Sequence, residues 1–148
     1  MSPMSYHSLT SLLFHCVFST KNRVPLIPNR LESRLWSYMG GIARENGMRA
    51  LAVGGMSDHA HLLLSLPPTM PISKGVQLIK AGSSTWMHEQ MGTRFEWQVG
   101  YAAFTIGVSQ ITKTTDYILN QKRHHVSKSF AEESKIFLKR HGLSEFRE

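Results

Sequence analysis

The amino-acid sequence predicts an α+β fold of the ferredoxin-like, RRM-like type. In this fold a split βαβ unit forms an antiparallel sheet with helices on one face, and here additional C-terminal helices follow. Short apolar segments rich in β-branched and aromatic residues alternate with longer segments of helical periodicity, in the order β-α-β-β-α-β. No repeat or Gly/Ser linker interrupts the 148 residues, so we expect a single domain spanning 1–148.

The first half of the chain supplies three of the predicted strands and one helix. Residues 11–20 (SLLFHCVFST) are apolar, precede a turn-like segment and predict the first strand. Residues 30–47 carry apolar side chains at helical spacing and end at Gly47, which predicts a helix. Residues 48–56 and 59–66 then predict a second and a third strand.

The second half predicts one more strand and three helices. Residues 71–92 begin with proline and show helical periodicity, although Gly82 indicates a break or a close contact in the middle. Residues 96–107 are aromatic and β-prone and predict the fourth strand. Residues 109–125 and 129–142 predict the two C-terminal helices. An antiparallel sheet of this kind leaves its other face for a ligand, as RNA-recognition modules do.

Composition narrows the class of partner. Lys and Arg number 17 against 10 Asp and Glu, a net charge of +7 that favours polyanionic partners, nucleic acid first. The single cysteine, Cys16, cannot form an internal disulfide, so we expect a reducing, cytoplasmic compartment. No apolar run approaches the ~18 residues that a membrane span needs, and no basic amphipathic helix predicts membrane binding.

Two histidines at the start of the third predicted strand are candidates for a functional site. His59 and His61 are two residues apart, so in a strand they project from the same face, while Leu62 and Leu64 point into the core. Paired imidazoles are half of a metal site or an acid/base pair. The spacing alone fits equally well two half-exposed histidines bonded to backbone or water. Candidates for a third ligand are Asp58, the later histidines, Glu96, Asp116 and Gln121.

Tyr117 and Gln121 are four residues apart on a predicted helix and therefore share a face. Tyrosine is a weak nucleophile at neutral pH, because its pKa of ~10 places the phenolate roughly 4 kcal/mol uphill. A nearby cation would offset that difference. Taken alone, Tyr117 is more simply explained as a helix tyrosine whose ring packs on the core.

Together these segments resemble a known family. DHAHLLLSLP resembles the His-hydrophobic-His motif of the HUH nucleases, and DYILNQKRHH resembles the nucleophile helix of their single-tyrosine transposases. FHCVFSTKNRVPLI, LIKAGSSTWM and FEWQVGYAAFTIG resemble the first strand, the central helix and the strand before the tyrosine helix. The resemblance is to insertion-sequence-200-like transposases and their repeat-associated relatives, and it runs from Leu12 to Gly142 in the family's order.

The resemblance implies a site and a reaction. His59, His61 and Gln121 would bind a divalent metal, with Mg²⁺ or Mn²⁺ expected from the mixed nitrogen and oxygen donors. Tyr117 would attack the scissile phosphate of single-stranded DNA, often near a hairpin, and leave a 5′-phosphotyrosine and a free 3′-hydroxyl. Short members of the family pair as homodimers, so we expect a dimer in which Tyr117 acts in trans.

Other residues receive weaker predictions. Asp58 either orients one of the histidines or caps the turn before the strand. The basic side chains expected to hold phosphates, each of which is also explained as a solvated charge or a polar helix end, are Lys80, Lys113, Lys122, Arg123, His124 and His125. Two alternative functions are a non-catalytic nucleic-acid-binding domain and a metal-dependent phosphodiesterase that uses water in place of tyrosine.

Overall fold

The computed structural model describes residues 8–92, 94–124 and 130–142. It contains one four-stranded sheet with strand order β2-β3-β1-β4, in which all neighbouring strands are antiparallel. The predicted α+β fold with a split βαβ unit is confirmed. The strands are β1 (Leu13–Ser19), β2 (Arg49–Met56), β3 (His59–Ser65) and β4 (Ala102–Ile106), and the helices are α1 (Asn29–Glu45), α2 (Ile72–Met91), α3 (Ile111–Leu119), α4 (Gln121–His124) and α5 (Phe130–Arg140).

The main core lies between one face of the sheet and helices α1 and α2. Alternate residues of β1 and β3 point into it, as the strand period of two requires. Helix α1 contributes apolar side chains at spacings of four residues and ends where Gly47 adopts φ 79°. The buried side chains that fill this core include Cys16, Phe18, Leu31, Leu35, Met39, Leu62, Leu64, Val76 and Ile79.

Helix α2 runs without interruption, so Gly82 marks a close contact and not a break. A Cβ atom built at Gly82 would lie 2.7 Å from Cδ1 of Ile42 on α1. The missing side chain therefore lets α1 and α2 approach each other. The next residue is Ser83, whose hydroxyl donates to the carbonyl of Ile79 one turn earlier, at 2.6 Å, and accepts from the Trp97 indole at 3.0 Å.

The predicted strand over 96–107 is shorter in the structure, because only its second half pairs with β1. Trp97 makes an isolated bridge to Thr20, and Gly100 then turns the chain with φ 95°. The Lys80 ammonium fixes this turn by donating to the carbonyls of Gln98 at 2.6 Å and Gly100 at 2.9 Å. A side chain on α2 thus takes the place of strand pairing.

The sheet's second face carries a helix as well, which differs from the expectation that it is left for a ligand. Helix α3 packs across β2 and β3, with Ile118 buried against Ala52 and Leu63. The helix predicted over 109–125 is interrupted at Asn120, whose φ and ψ of −111° and 31° end α3. Within the described ranges, no helix is long and apolar enough to cross a membrane.

Candidate metal and nucleophile site

The two histidines of the HxH motif lie together under α3. His59 is the first residue of β3, and both rings face away from the main core, as the alternation predicts. Both are buried, with 0% and 1% of their surface exposed. Their ring centroids are 5.0 Å apart. The alternative of two half-exposed, water-bonded histidines does not describe this burial.

Both nitrogens of His59 have polar neighbours. The distance from His59 Nδ1 to Asp58 Oδ1 is 2.7 Å, and the distance from Nε2 to Gln121 Oε1 is 3.1 Å. The Gln121 amide is oriented by its Nε2, which donates to the carbonyl of Tyr117 at 3.0 Å. Asp58 therefore contacts the histidine directly, and its backbone carbonyl also accepts from the backbone N–H of Thr20 at 2.9 Å.

This donor arrangement fits a divalent cation. If His59 Nδ1–H donates to Asp58, a neutral ring presents the Nε2 lone pair toward the Gln121 oxygen. Two acceptors 3.1 Å apart are stable only with a proton or a cation shared between them. Ligands at neighbouring octahedral positions, each ~2.1 Å from Mg²⁺, are themselves about 3 Å apart. The observed separation is compatible with two ligands of one cation, and it is also that of a hydrogen bond from an Nε2–H of His59 to the Gln121 oxygen.

His15, which the sequence analysis did not single out, completes the histidine cluster. It lies on β1, is 2% exposed, and its Nε2 is 2.9 Å from Nδ1 of His61. Burial, together with the charge of the neighbouring His141, lowers the pKa of His15 from 6.5 to about 4. The sequence feature that could have indicated His15 is a histidine within an otherwise apolar predicted strand. Its place beside His61 depends on the strand order of the sheet, which the sequence pattern does not give.

Tyr117 lies against this cluster. Its ring centroid is 5.6 Å from that of His61 and 6.1 Å from that of His15, and both contacts are edge-to-face. The ring also packs on the small apolar cluster formed by Ala52, Leu63 and Ile118. The ring therefore packs partly on the core, as the simpler explanation predicts, and it also lies beside the histidines. The role of Tyr117 as a nucleophile stays a prediction.

The basic residues fall into different surroundings. Lys80 bonds to two backbone carbonyls, and Lys122 Nζ lies 3.4 Å from the buried carboxylate of Glu32. Lys113 lines a cavity of about 840 Å³ together with His15, Tyr117 and Arg140. Arg123 and His124 lie in α4, and His125 lies outside the described residues.

A metal site at the two histidines would draw on an amide donor. Across 8–92, 94–124 and 130–142, no three His, Cys, Asp or Glu side chains form a metal-binding group. A site built on His59 and His61 therefore needs the Gln121 oxygen as its third protein ligand, and hard cations such as Mg²⁺ accept that donor readily.

Known proteins resemble this chain in sequence and in fold. The sequence profile described as "Transposase IS200 like" matches residues 8–121, which span β1 to Gln121. The chain belongs to the IS200-like transposase family. It is 29% identical over 122 residues to the transposase for insertion sequence element IS200 of Salmonella typhimurium, covering 78% of this chain and 80% of that protein.

Solved structures show the same fold. A candidate transposase from Deinococcus radiodurans superposes with a TM-score of 0.65 at 24% identity, covering 82% of this chain and 98% of that one. A REP-associated tyrosine transposase bound to a REP hairpin superposes with a TM-score of 0.58 at 18% identity, covering 84% and 74%. Family membership identifies this chain as a transposase of a mobile element.

Proposed function

We propose that this transposase cleaves and rejoins single-stranded DNA at the ends of its element through a 5′-phosphotyrosine formed on Tyr117. One observation carries the proposal. A single helical segment brings Tyr117 to the ring of His61, at 5.6 Å between centroids, and the Gln121 oxygen to His59, at 3.1 Å. A nucleophile and three cation donors thus converge at one end of β3.

The metal is Mg²⁺ or Mn²⁺, held by His59, His61 and Gln121. When bound, the cation supplies Lewis-acid polarisation of the scissile phosphate and lowers the cost of the phenolate. The protein's own part is to hold the donors in place. Asp58 fixes the His59 ring at 2.7 Å, and the Tyr117 carbonyl holds the Gln121 amide at 3.0 Å with its oxygen toward the site.

The covalent step conserves the phosphodiester energy. The Tyr117 oxygen attacks phosphorus, the bond from phosphorus to the 3′-oxygen breaks, and the phenolic proton is lost while the leaving oxygen becomes a 3′-hydroxyl. Another 3′-hydroxyl then attacks the phosphotyrosine, restores the phosphodiester and returns the proton to Tyr117. Because a phosphate ester is exchanged for another, strand transfer needs no ATP.

DNA near a hairpin is the proposed substrate, and a cytoplasmic location would give access to it. The excess of positive charge supports a polyanionic partner. The cavity of about 840 Å³ beside Tyr117, lined by Lys113 and Arg140, provides space next to the nucleophile. Among the structural relatives, the REP-associated transposase is bound to a REP hairpin, which supports a hairpin partner here as well.

We also propose a homodimer, with Tyr117 completing the partner's HxH site. Within one chain α3 already lies on its own β2 and β3, so a mixed-dimer experiment is needed to separate the two placements. A chain carrying His59→Ala and His61→Ala is co-refolded with a chain carrying Tyr117→Phe. Placement in trans predicts one restored site per mixed dimer, whereas placement in cis predicts none.

The covalent adduct tests the reaction. Purified protein is incubated with Mg²⁺ or Mn²⁺ and end-labelled single-stranded oligonucleotides carrying the element's ends, then run on denaturing gels. We expect a slow-migrating adduct in the wild type that chelator abolishes and Tyr117→Phe lacks. The matched control is Tyr38→Phe, since Tyr38 stacks on Trp86 in the helical layer, and it should retain the adduct.

Other outcomes point to the alternative functions. Cleavage that survives Tyr117→Phe would show a metal-dependent phosphodiesterase that uses water. DNA binding without cleavage, in the wild type and both variants, would favour a nucleic-acid-binding domain.

A further inference from the structure

A third histidine, His15, lies beside the HxH pair, and its ring makes a hydrogen bond to the ring of His61. The distance from His15 Nε2 to His61 Nδ1 is 2.9 Å, and their centroids are 5.1 Å apart. Both side chains are buried. A buried polar pair of this kind costs free energy unless its hydrogen bond is made, so the contact restrains both rings.

We propose that His15 is a positioning residue that fixes the ring orientation and the tautomer of His61, so that His61 binds the metal through Nε2. The inference rests on the proposed function, in which His61 is a metal ligand. Metal-binding histidines generally donate their second ring N–H to a fixed acceptor. For His59 that acceptor is Asp58, and for His61 it is His15.

The hydrogen-bond pattern determines the tautomer. One hydrogen lies between His15 Nε2 and His61 Nδ1, because two lone pairs at 2.9 Å would repel each other. A hydrogen on His61 Nδ1 leaves the lone pair of that ring on Nε2, where it can bind a cation. A hydrogen on His15 Nε2 would instead move the His61 hydrogen to Nε2 and block the metal. The proposal therefore assigns Nδ1–H to His61, with His15 accepting.

The position of His15 is set by the sheet. In the register of β1 and β3, His15 lies opposite Leu63 and His61 lies opposite Val17, so the two imidazoles are diagonal neighbours on one face. On its other side, His15 lies opposite Phe104 of β4. Backbone pairing on both sides holds the ring in place, which a histidine on a loop would not achieve.

An imidazole acceptor also affects the charge of the site. Asp58 contributes one negative charge behind His59, whereas a neutral His15 contributes none behind His61. A divalent cation in this site therefore keeps a net positive charge, which attracts the phosphodiester anion. A second carboxylate in place of His15 would cancel that charge.

The test compares His15→Gln, which offers an amide oxygen as an acceptor, with His15→Leu, which removes it. Mn²⁺ affinity is measured from the electron paramagnetic resonance signal of free Mn²⁺. We expect the Kd to rise roughly 10- to 100-fold in His15→Leu and to stay close to wild type in His15→Gln. His88→Leu is the control, because it breaks a comparable bond from His88 to the Phe95 carbonyl, 2.8 Å long, in the helical layer. It should leave the Kd unchanged.

A second measurement reads the tautomer directly. Two-bond ¹H–¹⁵N correlation spectra of metal-free, histidine-labelled protein should show His61 of the wild type as the Nδ1–H form, and His15→Leu should lose that preference. A folded His15→Leu with wild-type Kd, or a wild-type His61 in the Nε2–H form, would overturn the inference. The tautomer is readable even if His15→Leu fails to fold. Failure of the proposed function is distinct, because the wild type itself would then bind no Mn²⁺.

Discussion

Replacing Gly54 with alanine tests how closely α3 must sit on the sheet for the site to form. Gly54 lies on β2 directly opposite His61. A Cβ atom built there falls well inside 3.0 Å of the Ile118 carbonyl oxygen, 3.2 Å from its carbonyl carbon and 3.3 Å from its Cγ2. Because the closest atoms belong to the helix backbone, no change of rotamer relieves the overlap. Helix α3 has to lift by several tenths of an ångström.

The displaced helix carries Tyr117 and leads into Gln121, so both stability and rate should fall. Overpacking of this kind costs about 1–3 kcal/mol of unfolding free energy, and a shift approaching 1 Å at a reacting group costs up to ~10²-fold in rate. Urea unfolding and the rate of adduct formation measure the two effects. The control is Gly40→Ala in α1, where a Cβ meets nothing within 4 Å. This variant should gain about 0.5–1 kcal/mol of unfolding free energy and form the adduct at the wild-type rate. A Gly54→Ala protein with wild-type stability and rate would refute the reasoning.

Three further predictions concern titratable groups. Lys80→Met should lower the free energy of unfolding by about 1–3 kcal/mol, because two hydrogen bonds from a charged donor to backbone carbonyls are lost. The slope of the logarithm of DNA affinity against the logarithm of salt concentration should not change, and a slope reduced by about 1 would instead show that Lys80 contacts a phosphate. Burial raises the pKa of the Cys16 thiol to about 12, so a thiol reagent at pH 8 should label the protein only after unfolding, and rapid labelling of the native protein would contradict this. The pKa of His15 is lowered from 6.5 to about 4 in the folded protein, so the unfolded chain binds the proton more readily. The free energy of unfolding should therefore fall by up to about 3 kcal/mol as the pH drops from 6.5 to 4. Urea unfolding at several pH values should show a smaller fall for His15→Gln than for the wild type.

The fold could be predicted from the sequence where hydrophobic periodicity determines the local structure. The period of two in β1 and β3 and the helical period of α1 place the core correctly, and the observed ends lie within two residues of the predicted ones. The prediction was wrong over 96–101, where an aromatic, β-prone sequence forms a turn. The cause is a tertiary contact that periodicity does not reveal, since Lys80 binds the carbonyls of Gln98 and Gly100.

The helix predicted over 109–125 shows the same limit. Asn120 ends α3, and its side chain donates to the Asp116 carbonyl at 2.7 Å. Asparagine side chains compete with the helix backbone for hydrogen bonds in this way. The sequence alone does not tell whether a given asparagine will end the helix. Likewise, the ion pair that joins Lys122 to Glu32 at 3.4 Å connects α4 to α1 across ninety positions of sequence.

Each metal-ligand candidate was predicted from its resemblance to the family, and the structure adds the contact that holds it. His59 is held by Asp58 at 2.7 Å, His61 by His15 at 2.9 Å, and the Gln121 amide by the Tyr117 carbonyl at 3.0 Å. In the proposed site, each side chain would use one polar atom to bind the protein and the other to bind the cation. Three donors oriented in advance would lose little entropy on binding a cation. The last of these contacts also couples ligand to nucleophile, because any shift of the Tyr117 backbone moves the Gln121 oxygen with it.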